Sequence, residues 1–294
     1  MIRHLYDCNT VNPGDVAIGQ VMADFMTSQG VKFEQGGPDA PEADTFVIGG
    51  GHLLQPGSEE YYQGFRRHGQ HHLYSVGVSG GVGAVRYLKN YRSVSVRTKN
   101  DKKILSKLTS GVKIDVYPCP ANLLPIEPSG ITVEPGTVGV QVFYPGYPEA
   151  YIEQLKGQKI LAFPWRRSIR GETVDDLIGA KAIAEKLNGE LLPTGLSPGQ
   201  YRDVIQQLDF FVCQSLHAAM WAYQSNVSFT VHGYSSKISH WARERGLSER
   251  IFRRPNQVLE MLEKFKSKTT FSNERDRERA TNGLARLCRM LKGG

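Results

Sequence analysis

The stretch Phe210-Phe211-Val212-Cys213-Gln214-Ser215-Leu216-His217-Ala218-Ala219 changes character at its middle. Four consecutive apolar residues, rich in aromatic and β-branched types, read as a strand buried on both faces. Ser215 is a helix-capping residue type, and Leu216 onward reads as a helix. A short buried strand that runs directly into a helix is half of a βαβ unit, the building block of parallel sheets covered on both faces.

The same signature recurs outward in both directions. In the first half, Ile2–Cys8 reads as a strand and Gly14–Ser28 as a helix with Val16, Met22, Phe25 and Met26 on one side. Asp44–Ile48 is a strand ending in Gly49-Gly50-Gly51, residues 59–69 a helix, and Leu73–Val78 a strand. Ser93–Val96, a helix over 100–109 and Lys113–Tyr117 complete that half. Pro118, Pro120, Pro125, Pro128 and Pro135 then exclude helix and disfavour a central strand, which places a boundary there.

Beyond it the alternation restarts with strands at Val138–Phe143, Lys159–Phe163, Glu190–Leu192, Phe210–Cys213 and Ser228–Val231. Helices fall at about 147–156, 173–187, 198–207, 216–224, 237–246 and 256–266, with a final basic helix over 274–291. The reading is α/β with two domains in tandem, residues 1–130 and 131–294, each with a parallel sheet.

The chain has 294 residues, a length suited to two domains, and 40% hydrophobic residues, enough to build real cores. Its net charge of +7 favours an anionic partner, and the C-terminal helix, with Arg275, Arg277, Arg279, Arg286, Arg289 and Lys292, is a candidate contact for a membrane surface or polyanion. Four scattered cysteines without a CxxC pair argue against a disulfide framework or zinc knuckle. The N-terminus lacks a signal-peptide core and no apolar run approaches membrane-spanning length, so a cytoplasmic protein is expected. His68, His71 and His72 lack a paired carboxylate, and no metal is expected.

In open parallel sheets ligands bind beyond the carboxyl ends of strands. After the first strand comes Asn12-Pro13-Gly14-Asp15, in which Asp15 enters the first helical turn. Gly49, Gly50 and Gly51 let a ligand approach the backbone closely, and His52 follows them. No GxGxxG or GK[ST] accompanies them, so neither a dinucleotide site nor a P-loop is supported. Arg97, just after Ser93–Val96, suits a phosphate or carboxylate. In the second half Arg166, Arg167 and Arg170 follow a strand, Lys237 opens a helix after Ser235-Ser236, and Ser215, Leu216 and His217 stand at a helix N-terminus, where anions bind and imidazolium is disfavoured.

Taken in order, Asn12-Pro13-Gly14-Asp15, Ile48-Gly49-Gly50-Gly51, Gly77-Val78-Ser79, Val94-Ser95-Val96-Arg97, Pro118-Cys119-Pro120-Ala121 and Leu216-His217-Ala218-Ala219 resemble the polysaccharide pyruvyl transferase family. Tyr234, Lys237 and Gly246-Leu247 extend the likeness, which covers about residues 9 to 250. The resemblance implies two Rossmann-like domains arranged as in GT-B enzymes with the active site between them, phosphoenolpyruvate as donor, a saccharide or lipid-linked glycan as acceptor, a pyruvate ketal as product and no cofactor. It implies His217 as the acid–base group, with an anion clamp from Ser215–His217, Lys237 and Arg166 or Arg167, and Asp15 orienting the acceptor. Asn12, Gly14, Gly49–Gly51, His52 and Arg97 join it as substrate-binding candidates. Three positions depart from the family pattern: Ser215 replaces an arginine, Cys119 an aspartate, and Phe143-Tyr144 a basic residue. Two other readings of the same residues are a GT-B glycosyltransferase using a nucleotide sugar and a non-catalytic binder of glycan or polyanion.

Overall fold

A computed structural model describes residues 1–8, 11–37, 40–56, 70–79, 83–143, 148–166, 175–267 and 269–293. The chain divides into two compact units, Met1–Asn9, Asp15–Leu124 and Glu274–Gly294 forming the first, Thr10–Gly14 and Pro125–Asn273 the second. The helix expected over 59–69 lies outside the described residues.

The first unit is built on strands β1 (Ile2–Leu5), β2 (Glu34–Gly36), β3 (Thr45–Gly49), β4 (Gln70–Val76), β5 (Ser93–Val96) and β6 (Ile114–Val116). They form one sheet in the order β2-β1-β3-β4-β5-β6, and every pairing is parallel. Helix α1 (Pro13–Ser28) leaves β1, and α2 (Lys99–Leu108) joins β5 to β6. Thr98 caps α2 by accepting the Asp101 N–H. One face of the sheet buries Phe46, Ile48, Leu73, Val94, Val96 and Ile114 against Val85, Leu88 and Leu105. Val85 and Leu88 come from a 3-10 helix, Gly83–Asn90, which stands beside α2 on that face.

The second unit repeats the plan with β7 (Thr137–Val140), β8 (Lys159–Ala162), β9 (Glu190–Leu191), β10 (Phe210–Cys213), β11 (Ser228–His232) and β12 (Ile251–Phe252). Its order is β12-β11-β10-β7-β8-β9, again wholly parallel. Its helices are α3 (Pro148–Leu155), α4 (Asp176–Leu187), α5 (Pro198–Gln206), α6 (Leu216–Gln224), α7 (Ser236–Glu244) and α8 (Val258–Phe265). Tyr151, Ile152, Leu155 and Ile183 close one face over Val138, Val140, Ile160 and Phe210.

Helix α9 (Glu274–Lys292) corrects one expectation. Read by position it belongs with residues 131–294, yet it groups with the first unit. Ala280, Gly283, Leu284, Leu287 and Cys288 are its buried stripe, the Tyr74 hydroxyl donates to the Ala280 carbonyl at 3.3 Å, and Arg286 pairs with Asp115 of β6 at 3.0 Å. An apolar stripe with one aromatic-lined seat outweighs proximity in sequence. Arg279 also donates to the Val116 carbonyl at 3.0 Å, so two of the helix's arginines are held by β6.

Thr10–Gly14 departs from the 1–130 expectation as well, since these residues group with the second unit, while Asp15 groups with the first. No helix among the described residues is long and apolar enough to cross a membrane.

Candidate functional site

In the second unit the chain moves outward from β7 to β8 and β9, and in the opposite direction from β10 to β11 and β12. The direction reverses where β7 and β10 pair, and such switch points open a crevice at the strand ends. Gln141 follows β7 there and is fully buried. Its Oε1 accepts the N–H groups of Gln214 at 3.0 Å and Ser215 at 2.8 Å. Ser215 is the N-cap of α6, but its side chain makes no capping bond. Ser215 thus holds the expected N-cap position without a side-chain capping bond, and the Gln141 amide, just after the neighbouring strand, braces the two backbone N–H groups that precede the first turn. The first-turn N–H groups from Leu216 onward are not engaged by Gln141, and the positive end of α6 persists there. Gln141 Nε2 is buried and has no hydrogen-bond partner among the described residues.

His217 lies in that first turn and is 6% exposed. Gly14 packs on it so closely that an added Cβ would overlap the imidazole Nδ1 and Cγ. Asn12 fixes Gly14, its Oδ1 accepting the Gly14 N–H and the Trp165 indole N–H, each at 3.1 Å. Asn12 and Gly14 thus hold the His217 ring in place, a positioning task not evident from the Asn-Pro-Gly-Asp string.

A buried polar chain backs this turn. Gln214 accepts the Phe143 N–H at 2.5 Å and donates Nε2 to the Tyr151 hydroxyl at 2.6 Å. His232 Nδ1 lies 3.0 Å from Gln214 Nε2 and 3.1 Å from the Tyr151 oxygen, and its Nε2 lies 3.2 Å from the Arg253 carbonyl. That set of partners puts the His232 proton on Nε2 and leaves Nδ1 as acceptor. Burial lowers the His232 pKa, opposed by the Arg253 carbonyl, and burial raises that of Tyr151. Both stay neutral and serve as rigid support.

Arg166 stacks over the Phe143 ring at 3.9 Å, and its Nε and Nη2 donate to the fully buried Asp176 at 3.2 and 3.0 Å. Phe143 meets Tyr234 edge-on at 5.3 Å, and Lys237 Nζ lies 6.0 Å from the Tyr234 ring. Arg166 and Lys237 therefore flank one aromatic pair, with Tyr234 47% exposed. Arg166 is anchored by Asp176 and presents a fixed charge rather than a mobile arm. Arg167 and Arg170 lie outside the described residues.

The first unit has its own switch point where β1 and β3 pair, and the Gly49–Gly51 turn sits at it. Gly50 and Gly51 take φ of 75° and 76°, a backbone path that favours glycine. The Gly50 N–H donates to the Tyr74 carbonyl at 2.9 Å, and the Gly51 carbonyl accepts the Gly77 N–H at 2.9 Å. Asp15 Oδ1 stands 3.9 Å from where a Gly51 Cβ would be. Arg97, 7% exposed, brings Nη2 to 3.2 Å from His52 Nδ1, and both crowd the Cα of Gly77. Asp15, Gly49, Gly50, Gly51, His52 and Arg97 thus gather at the ends of β3, β4 and β5. Asp101 was missed: its carboxylate accepts the Val78 N–H at 3.0 Å and the Thr98 hydroxyl at 2.7 Å, fixing the loop after β4.

His71 and His72 sit on opposite faces of β4, His71 Nδ1 accepting from the Phe46 N–H and His72 meeting Ser93 at 2.8 Å. Among the described residues no group of three or more potential ligands that could hold a metal is found.

The family model of the polysaccharide pyruvyl transferases matches residues 12–236. A search of curated proteins gives no match. Among solved structures, UDP-GlcNAc 2-epimerase of Methanocaldococcus jannaschii superposes with a TM-score of 0.67 at 10% identity, over 100% of this chain and 99% of that one. The UDP-GlcNAc 2-epimerase of Neisseria meningitidis gives 0.60 at 10% identity, over 100% of both chains. A trehalose-6-phosphate synthase gives 0.50 at 12% identity, over 94% of this chain and 76% of that one. At such identities the likeness shows the α/β fold with its two Rossmann-like parallel sheets.

Proposed function

The chain belongs to the polysaccharide pyruvyl transferase family, and on that premise we propose that it transfers pyruvate from phosphoenolpyruvate to a sugar diol on a saccharide or lipid-linked glycan. The observation that carries this reading is the seating of His217 in the first turn of α6, under Gly14 and beside the Gln141-braced strand end. A phosphate and a carboxylate need cations and N–H donors, and the first turn of α6, Arg166 and Lys237 supply them within one unit.

In the proposed reaction C3 of the enol takes a proton, C2 becomes electrophilic, and one sugar hydroxyl adds to it. Phosphate leaves with the C2–O bond pair, the second hydroxyl closes the ketal, and both hydroxyl protons are released. His217 is assigned the proton transfers, a role that typically contributes about 100- to 10,000-fold. Asp15, with Gly49, Gly50, Gly51, His52 and Arg97, is assigned to the acceptor. The reaction as written needs no cofactor.

The test is a thermal melt with millimolar phosphoenolpyruvate, with UDP-sugars in parallel. A donor at 100 times its dissociation constant adds about 2.7 kcal/mol, a shift easily seen. A shift with UDP-sugars alone would replace this reading by nucleotide-sugar transfer, a reading that the likeness to epimerases whose structures hold UDP-GlcNAc keeps in view. No shift with either would favour a non-catalytic binder. With a responsive acceptor in hand, His217→Ala is expected to abolish turnover and leave the melting temperature of the free protein nearly unchanged.

A further inference from the structure

The net charge of +7 is concentrated more sharply than the C-terminal helix suggests. Between Gly83 and Lys113 there are nine cationic side chains and a single carboxylate, Asp101. Asp101 is buried and bound to the Val78 N–H and the Thr98 hydroxyl, so it offsets little of that charge at the surface.

Arg97 is buried at the strand ends, and the topology puts the cations of the two helices on one face. β4, β5 and β6 are neighbours in that order and parallel, so two right-handed crossovers place the 3-10 helix Gly83–Asn90 and α2 on the same side of the sheet. Packing agrees, because Val85, Leu88 and Leu105 enter one core cluster with Val94, Val96 and Ile114. The opposite sides of both helices therefore face outward together. Lys89, Lys99, Lys102, Lys103, Lys107 and Lys113 are all exposed.

From this face we propose that the first unit docks on an anionic lipid bilayer. Three observations favour a bilayer over a nucleic acid. The charge is carried mostly by lysine, whose compact ammonium attracts a headgroup layer without needing the bidentate geometry of arginine. Leu108, next to Lys107 at the end of α2, is 42% exposed and gives the basic face an apolar contact for the headgroup–acyl boundary. Between Gly83 and Lys113 the described aromatic residues, Tyr87 and Tyr91, are half-buried, so no exposed ring is offered for base stacking. The exposed lysines of this face are none of the residues assigned to donor or acceptor, so docking and transfer can each fail alone.

The experiment is sedimentation of the full-length protein with phosphatidylcholine vesicles, with and without one-third phosphatidylglycerol, at about 0.1 M salt and again at high salt. Wild type is expected to partition onto the anionic vesicles only and to be released by salt. Lys102→Gln, Lys103→Gln, Lys107→Gln and Lys113→Gln combined should lower that partition by at least about tenfold. The α9 control Arg275→Gln with Arg277→Gln should leave it within about twofold, and circular dichroism should show both variants folded. Leu108→Ser should weaken vesicle binding and leave heparin binding unchanged. Absence of wild-type binding to anionic vesicles would overturn the proposal, as would full retention by the quadruple variant. Binding to heparin or single-stranded DNA without binding to vesicles would overturn it in favour of a soluble polyanion.

Discussion

Gly14 has no room for a side chain, because the His217 ring occupies the space a Cβ would need. Gly14→Ala must then push the imidazole away, with an overpacking penalty of about 1–3 kcal/mol. The expected outcome is a fall in turnover comparable to that of His217→Ala, with a modest loss of stability. If the clash is the cause, Gly14→Ala should destabilise far less when made in His217→Ala, a coupling that a double-mutant cycle reads directly. Equal penalties in both backgrounds would place the strain elsewhere. Gln141 offers a second test at this scale. Its Oε1 is engaged twice while its Nε2 has no described partner, so Gln141→Glu removes no bond and adds a negative charge at the α6 N-terminus. Folding should survive, since the new carboxylate accepts the same two N–H groups, while affinity for phosphoenolpyruvate should fall by at least about tenfold through repulsion. Unchanged affinity in a titration would mean that the anion binds away from this turn. His217 was legible in the sequence because the strand–cap–helix string surrounds it. Gln141 was not, since it follows a different strand and only the β7–β10 pairing brings it to Ser215.

At the scale of elements, buried strands and amphipathic helices announced themselves through apolar runs and period. Ser93–Val96, Phe210–Cys213 and 216–224 coincide with β5, β10 and α6. What escaped is too short or too polar to signal: β2 is Glu34-Gln35-Gly36 and β12 only the two residues Ile251-Phe252, both edge strands fixed by their neighbours. Most of the expected strands run past the observed ends, as Val138–Phe143 does past Val140, because apolar residues continue into the loop that buries them. The placement of α9 was out of reach for a different reason, since its stripe is as apolar as any other and nothing local names its seat. That seat is tight at Gly283, where a Cβ would come within 2.6 Å of Tyr117 Cγ and 2.8 Å of the Tyr74 hydroxyl oxygen. Leu284→Ala, at a fully buried position of the same stripe, is expected to cost about 2–5 kcal/mol. Gly283→Val should cost about 1–3 kcal/mol by overpacking. Urea unfolding followed by far-ultraviolet circular dichroism measures both. Wild-type midpoints in the two variants would mean that α9 is not part of the first unit's core.

For the molecule as a whole, pH acts through buried histidines: burial lowers the pKa of His232 in the second unit, and two more lie in the first. His4 is fully buried in β1, stacked on Tyr6 at 5.0 Å, and burial brings its pKa down to about 4. His72 on β4 is likewise brought to about 4, by burial first and then by the charges of Arg92 and His71. Both histidines belong to the first unit. In the unfolded chain each titrates near 6.5, so between about pH 6.5 and 4 the unfolded state binds protons that the folded state refuses. Their contribution is therefore complete above pH 6.5 and lost as pH falls through that window, by roughly 2 kcal/mol per histidine between pH 7 and pH 5. All three tryptophans, Trp165, Trp221 and Trp241, lie in the second unit, so indole fluorescence follows that unit, and circular dichroism follows both. Acidification from pH 7 to pH 5 should lower the urea midpoint seen by circular dichroism in wild type, and His4→Phe should remove the His4 share of that decrease. An equal decrease in wild type and His4→Phe would show that the His4 imidazole is protonated in the folded unit, against its complete burial.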